Sequence, residues 1–198
     1  NSNRTITWLV NDGSSNSSAV TSTITVADVN DAPVLSGAGG TLAYSEDDAA
    51  TAIDTTLSVS DVDDSNMASA TITISSGYQS SEDVLAFTNA NGITGSWNSG
   101  AGVMTLSGSA TKANYETALE SVTYQNTNND NPDNTNNIIT WVVNDSNTNS
   151  SGVTSTITIA DTNDAPVAVD DTINATENRV FTSSTDLDAN DTDVDGNS

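Results

Sequence analysis

The 198-residue chain carries 27 acidic side chains against three basic ones, Arg4, Lys112 and Arg179, for a formal net charge of -24. That balance makes nucleic acid and anionic membranes poor partners. Cysteine and histidine are both absent, which removes disulfides, thiolate and imidazole metal sites and the commonest general base, and leaves hard, oxygen-ligated cations such as calcium as the metals to consider.

Trp8 stands in strand register, and the chain opens as if in mid-strand. After Pro33 a first strand is expected, then short strands at Leu57 and Val59, at Ala70, Ile72 and Ile74, and at Leu85 and Phe87. Ile93 to Trp97 and Val103 to Leu106 add two more. Apolar and polar residues alternate with a period of two, and Gly, Asn, Asp and Ser clusters punctuate the runs. Thr111 to Val122 breaks the period: Tyr115, Ala118, Leu119 and Val122 share one helical face, which predicts a short helix between strands. Ile139, Trp141 and Val143, then Val153, Ser155, Ile157 and Ile159, line the inner faces of two last strands. The pattern predicts an all-β protein of Greek-key β-sandwich domains with one inserted helix. No 18-residue apolar run or signal peptide occurs, so no membrane insertion is expected of this chain, which reads as a piece of a longer, extracellular protein.

The chain repeats itself. The stretch from Thr7 to Val34 aligns without gaps to Thr140 to Val167, with Trp8 on Trp141, an offset of 133. A repeat of that length is a whole domain, so the chain divides into the last part of one bead (1–33), a complete bead (34–166) and the first part of a third (167–198). "ADVNDAPV", Ala27 to Val34, returns as "ADTNDAPV", Ala160 to Val167, at the two boundaries. Pro33 and Pro166 keep each link extended, and six or seven residues span no more than about 20 Å.

Following the strands up and down the sandwich brings "DVDD", Asp61 to Asp64, back to the first link, with a β-bulge or a strand switch returning Glu46 to the same end. Asp28, Asn30, Asp31, Glu46, Asp61 and Asp63 are then expected to converge, as are Asp161, Asn163, Asp164, Glu177, Asp193 and Asp195 at the second link. So many carboxylates repel one another unless a cation neutralises them, and calcium takes six to eight oxygens, Asn and backbone carbonyls included. Solvated turn acids are the alternative for each taken singly. The loop Asn126 to Asn136 is expected at the second link, offering Asp130 and Asp133, while Asn144 to Gly152 lies about 30 Å away with Asp145 as a hairpin turn residue.

These residues resemble the cadherin-like repeats of large bacterial surface and secreted adhesins, over essentially the whole chain. Cadherins carry an Asp-x-Asn-Asp-x-Ala-Pro linker, a first-strand glutamate and an Asp-x-Asp loop that ligate calcium between domains. The resemblance implies that role for the two residue sets just named. The chain departs from the family in lacking one residue between Asp31 and Ala32 and the Asp-Arg-Glu motif, which bears on how many ions a junction holds.

Other signals are weaker. Glu82 and Asp83 read as a turn and Glu116 and Glu120 as a helix-surface pair, so no enzyme is expected. Trp97 is the tryptophan expected to be most exposed. The function expected is a calcium-stiffened spacer of a giant extracellular adhesin-like protein, with adjacent repeats as partners. A module recognising glycans or other copies of itself, or a filament component, is the alternative.

Overall fold

The computed structural model describes residues 3–173, 176–178 and 188–196. They form two compact units, Asn1–Asp31 and Ala32–Ser198. In the first, β1 (Arg4–Trp8) and β2 (Val20–Ile24) make an antiparallel hairpin with Trp8 opposite Val20.

The second unit is an all-β sandwich. Its strands are β3 (Val34–Ser36), β4 (Thr41–Ser45), β5 (Thr51–Ala52), β6 (Ser58–Ser60), β7 (Asn66–Ser76), β8 (Asp83–Ala86), β9 (Thr94–Asn98) and β10 (Val103–Thr111). Helix α1 (Lys112–Glu120) follows, then β11 (Thr123–Asn126), β12 (Asn137–Asn144) and β13 (Val153–Ala160). One sheet runs β4-β13-β12-β7-β10-β9, and facing it are the sheets β5-β11-β8 and β3-β6. The period-two residues are the ones turned inward: Ile72 and Ile74 of β7, Leu106 of β10, and Ile139, Trp141 and Val143 of β12 share one core with Leu35, Val59, Leu85 and Tyr124 from the other side. As expected, α1 buries Tyr115, Ala118 and Leu119, and Thr111 caps its start by accepting from the Asn114 N–H.

Hydrogen-bonded polar side chains are buried in this core. The Trp141 indole donates to Ser155 Oγ at 3.0 Å, and Ser155 donates to Asp54 Oδ2 at 2.7 Å. The Tyr124 hydroxyl donates to Asp83 Oδ1 at 2.6 Å, and its ring meets Tyr44 edge-on at 5.1 Å. Asp83, expected in a turn, is buried at the start of β8. Glu116 differs from expectation too: its Oε1 accepts from the Val59 N–H (2.8 Å) and Ser58 Oγ (2.9 Å), tying α1 to β6. Trp97 is half-buried and packs edge-on against Tyr78, with ring centroids 6.1 Å apart, so it presents no open stacking platform.

The feature that positions the acids is the break in the first strand. Gly37, at φ +83°, ends β3, and a Cβ there would lie 1.9 Å from the Thr56 carbonyl oxygen, so the tight passage demands glycine. The chain then crosses from β3, paired with β6, to the opposite sheet, where β4 runs parallel to β13 with Thr41 opposite Thr156 and Ser45 opposite Ala160. Of the bulge or strand switch expected from the sequence, the switch is present, but it carries Glu46 onward to the end where β13 leaves the sandwich, not back to the end where Ala32 enters.

Candidate functional site

At the entry end, β6 runs antiparallel to β3 with Ser60 opposite Val34, so Asp61–Asp64 emerges beside the start of the unit. The Asp61 Oδ1 accepts from the Asp63 and Asp64 N–H groups (3.0 and 2.8 Å), folding the loop as an Asx turn. Lys112 braces the loop from below, donating to the carbonyls of Asp61 and Asp64, both at 2.8 Å. The hairpin between β12 and β13 reaches the same end, because Asn144 pairs with Ser69 near the start of β7. Its Asp145 is a turn residue, accepting from Asn147 and Thr148 N–H at 2.6 Å each, and is also buried against the loop.

Asp61, Asp64 and Asp145 thus offer carboxylate oxygens that all lie within 4.8 Å of one another, close enough to hold one metal ion. Asp61 Oδ2 is buried with no hydrogen-bond partner among the described residues. Burial and the Asp145 charge push the Asp61 carboxyl up, but the donors at Asp64 and Asp63 outweigh them and hold it low, so it stays an anion. Sequence reasoning placed the loop at this end but missed Asp64 and Asp145 as members of the group. Asp63, expected in it, is exposed on the loop.

At the exit end, Glu46 is only 4% exposed. Its Oε2 accepts from the N–H (3.0 Å) and hydroxyl (3.2 Å) of Thr162, inside the acidic link. Its Oε1 is buried without a hydrogen-bond partner, as are Asp164 Oδ2 and Asp195 Oδ1, among the described residues. The Asp164 N–H donates to Asp195 Oδ2, and Asp195 in turn donates its N–H to Asp193 Oδ1 at 3.0 Å. Desolvation, then Glu46, Asp195 and Asp164, push the Asp161 carboxyl above its ordinary value. Desolvation, then Glu46, Asp195, Asp130 and Asp47, push Asp164 up as well. These are acids crowded by acids.

The second expected set is therefore brought together in Asp161, Asp164, Asp193 and Asp195, joined by Glu46 from the complete bead. Asn163 lies in the same link and donates to the Asp164 carbonyl at 2.6 Å, as Asn30 does to the Asp31 carbonyl at 2.8 Å. Glu177 is exposed in a turn. The loop from Asn126 reaches this end as expected: Asp130 bears on Asp164, and Asn131 Nδ2 donates to the Val194 carbonyl at 3.5 Å. Asp133 is engaged elsewhere, accepting from Thr135 N–H and Gln79 Nε2, both at 2.8 Å. Asp28 and Asp31 belong to the first unit.

No protein-family model matches the chain, and no solved structure matches it. Among curated proteins it is similar to halomucin of Haloquadratum walsbyi, with 37% identity over 86 residues. The match covers 41% of this chain, which spans 1% of that protein's length. No helix among the described residues is long and apolar enough to cross a membrane.

Proposed function

We propose that this chain is a calcium-stiffened spacer from a large extracellular, adhesin-like surface protein, with repeats in series as its partners and no reaction of its own. The likeness to part of halomucin supports the extracellular surface reading. The observation that carries calcium is Glu46, a buried carboxylate with an unpartnered oxygen facing Asp161, Asp164 and Asp195. Buried charge of one sign is expensive until a counter-ion arrives, and the donors are all oxygens, which suits calcium. Asp61, Asp64 and Asp145 repeat the logic at the entry end.

Glu46 lies in the complete bead, Asp161 and Asp164 in the link, and Asp195 in the stretch read as the next bead. An ion held by all three ties the link to both sides. Without it the carboxylates repel and the junction flexes; with it, successive beads lock into a rod. Calorimetric titration with calcium, alongside small-angle scattering in calcium and in chelator, tests this. Saturable heat and a scattering envelope that shortens in chelator are expected. An envelope and melting temperature indifferent to chelator would end the proposal.

A further inference from the structure

The loop from Asn126 to Asn136 is built from Asn, Asp, Thr and Pro alone, so apolar burial contributes little to its order, and a polar loop of this length costs entropy to fix. It is nevertheless tied at both ends to one place, the turn that leads into β8. Where it leaves β11, the Thr127 N–H and hydroxyl donate to the Glu82 carbonyl at 2.8 and 3.1 Å. Where it returns, Pro132 is buried, the Asp133 N–H donates to Glu82 Oε1 at 3.4 Å, and Gln79 Nε2 donates to Asp133 Oδ2 at 2.8 Å. The turn has a fixed seat of its own, because the Gln79 N–H donates to Oδ2 of the buried Asp83 at 2.7 Å. Between these ties Asn128 folds the apex. Its Oδ1 accepts from the Asp130 and Asn131 N–H groups (3.3 and 3.4 Å), and its Nδ2 donates to the Asn131 carbonyl at 2.6 Å.

The apex so held lies against the exit-end acids. Asn131 Nδ2 reaches the carbonyl of Val194, next to Asp195, at 3.5 Å, and the Asp130 charge is among those that push the Asp164 carboxyl up. A loop carrying only solvated turn acids would gain by swinging its charge away from Glu46, Asp164 and Asp195, yet its hydrogen bonds keep the Asp130 backbone beside them. We infer that Asp130 is a further carboxylate ligand of the exit-end cation and that Gln79 is its positioning residue, holding the loop through Asp133 so that the ligand set is assembled before the ion arrives. The inference rests on the calcium reading of this cluster, where the buried, unpartnered Oε1 of Glu46 marks the place of the ion. Calcium affinity depends on how many charged ligands a site offers and on how rigidly it holds them. Asp130 supplies the first and Gln79 the second.

Calorimetric calcium titration of the full chain at fixed ionic strength tests this, in an Asp145→Asn background so that the heat reports the exit end. Asp130→Asn is expected to weaken binding about tenfold, as the loss of one charged ligand should. Gln79→Ala removes no charge and is expected to weaken it about threefold through lost rigidity. The double variant should be no weaker than Asp130→Asn, because Gln79 acts through Asp130. Gln79→Glu keeps the size of the side chain and adds a negative charge, which through space would strengthen calcium binding. It is nonetheless expected to weaken it, since the donor to Asp133 is lost. Melting in chelator shows whether each variant folds, and if Gln79→Ala does not, Gln79→Glu with Asp130→Asn carries the comparison. Parental affinity in either single variant, or single effects that multiply in the double variant, overturns the inference and leaves the calcium reading standing. No saturable heat in the Asp145→Asn parent overturns both.

Discussion

Two buried aspartates in the same core have opposite consequences for stability. Burial works against the Asp54 charge, but Ser155, Thr56 and Gly40 together outweigh it and hold the carboxyl below its ordinary value. A depressed folded value contributes stability that is fully present above the unfolded value of about 3.9 and is lost as pH falls through the folded one. All four hydrogen-bond partners of Asp54 are donors, the Thr56 and Ser155 hydroxyls at 2.7 Å and the Thr56 and Gly40 N–H groups at 3.1 Å. Asp54→Asn turns an amide NH2 toward donors and is expected to lose about 2–4 kcal/mol at neutral pH in urea unfolding, and to flatten the acid limb. Asp83 runs the other way, because burial raises it more than the Tyr124 and Gln79 donors lower it. The folded state then binds its proton more tightly than the unfolded one. Stability from Asp83 therefore falls as pH rises from about 3.9 through the raised value. Asp83→Asn is expected to remove that fall in a urea series taken from pH 3 to pH 8. Neither role was legible in the sequence. An aspartate among Ser, Thr and Gly reads as a turn former, and only the fold reveals which turns face inward.

At the scale of elements, alternation located the strands and the 3.6-residue face of α1, because inward side chains must bury apolar area whatever their neighbours are. Alternation does not say which strand lies beside which, nor in which direction. The passage from Gly37 to Gly40 splits the first strand, and β4 then pairs parallel to the last strand of the unit. That pairing, invisible to a period-two pattern, moved Glu46 to the opposite end from the one expected. It also makes Gly37 a control point. Gly37→Ala places a methyl group against the Thr56 carbonyl at a left-handed φ, and is expected to lose roughly 2–4 kcal/mol in urea unfolding, with faster amide exchange in β4 than in β12. Glu116 ties α1 to β6 by accepting from the Val59 N–H. Glu116→Ala is expected to cost about 1–2 kcal/mol, and hydrogen exchange at Val59 should show the largest rise in the unit.

For the whole molecule, the net charge of -24 means that any salt will stabilise the folded state by screening repulsion, so a response to calcium alone proves no site. The two effects separate by concentration and by residue. Screening follows ionic strength: the Debye length shrinks from about 30 Å at 0.01 M to about 3 Å at 1 M, and sodium serves as well as any cation. Site binding saturates instead. Extracellular calcium modules bind at about 10⁻⁴ to 10⁻³ M, and calcium at a hundred times the dissociation constant adds about 2.7 kcal/mol per site. At ionic strength matched with sodium chloride, about 10 mM calcium is therefore expected to raise the melting temperature well beyond the sodium control. Glu46→Gln keeps the shape and hydrogen-bonding reach of the side chain but removes the charge at the centre of the exit cluster. It should lose most of the exit-end calcium increment while keeping the full sodium response. Asp145→Asn should do the same at the entry end, and the two losses should add, since the clusters lie at opposite ends of the sandwich and share no residue. If both variants and the parent respond equally to calcium, the ion is acting as ionic strength and the acidic ends are solvated turns.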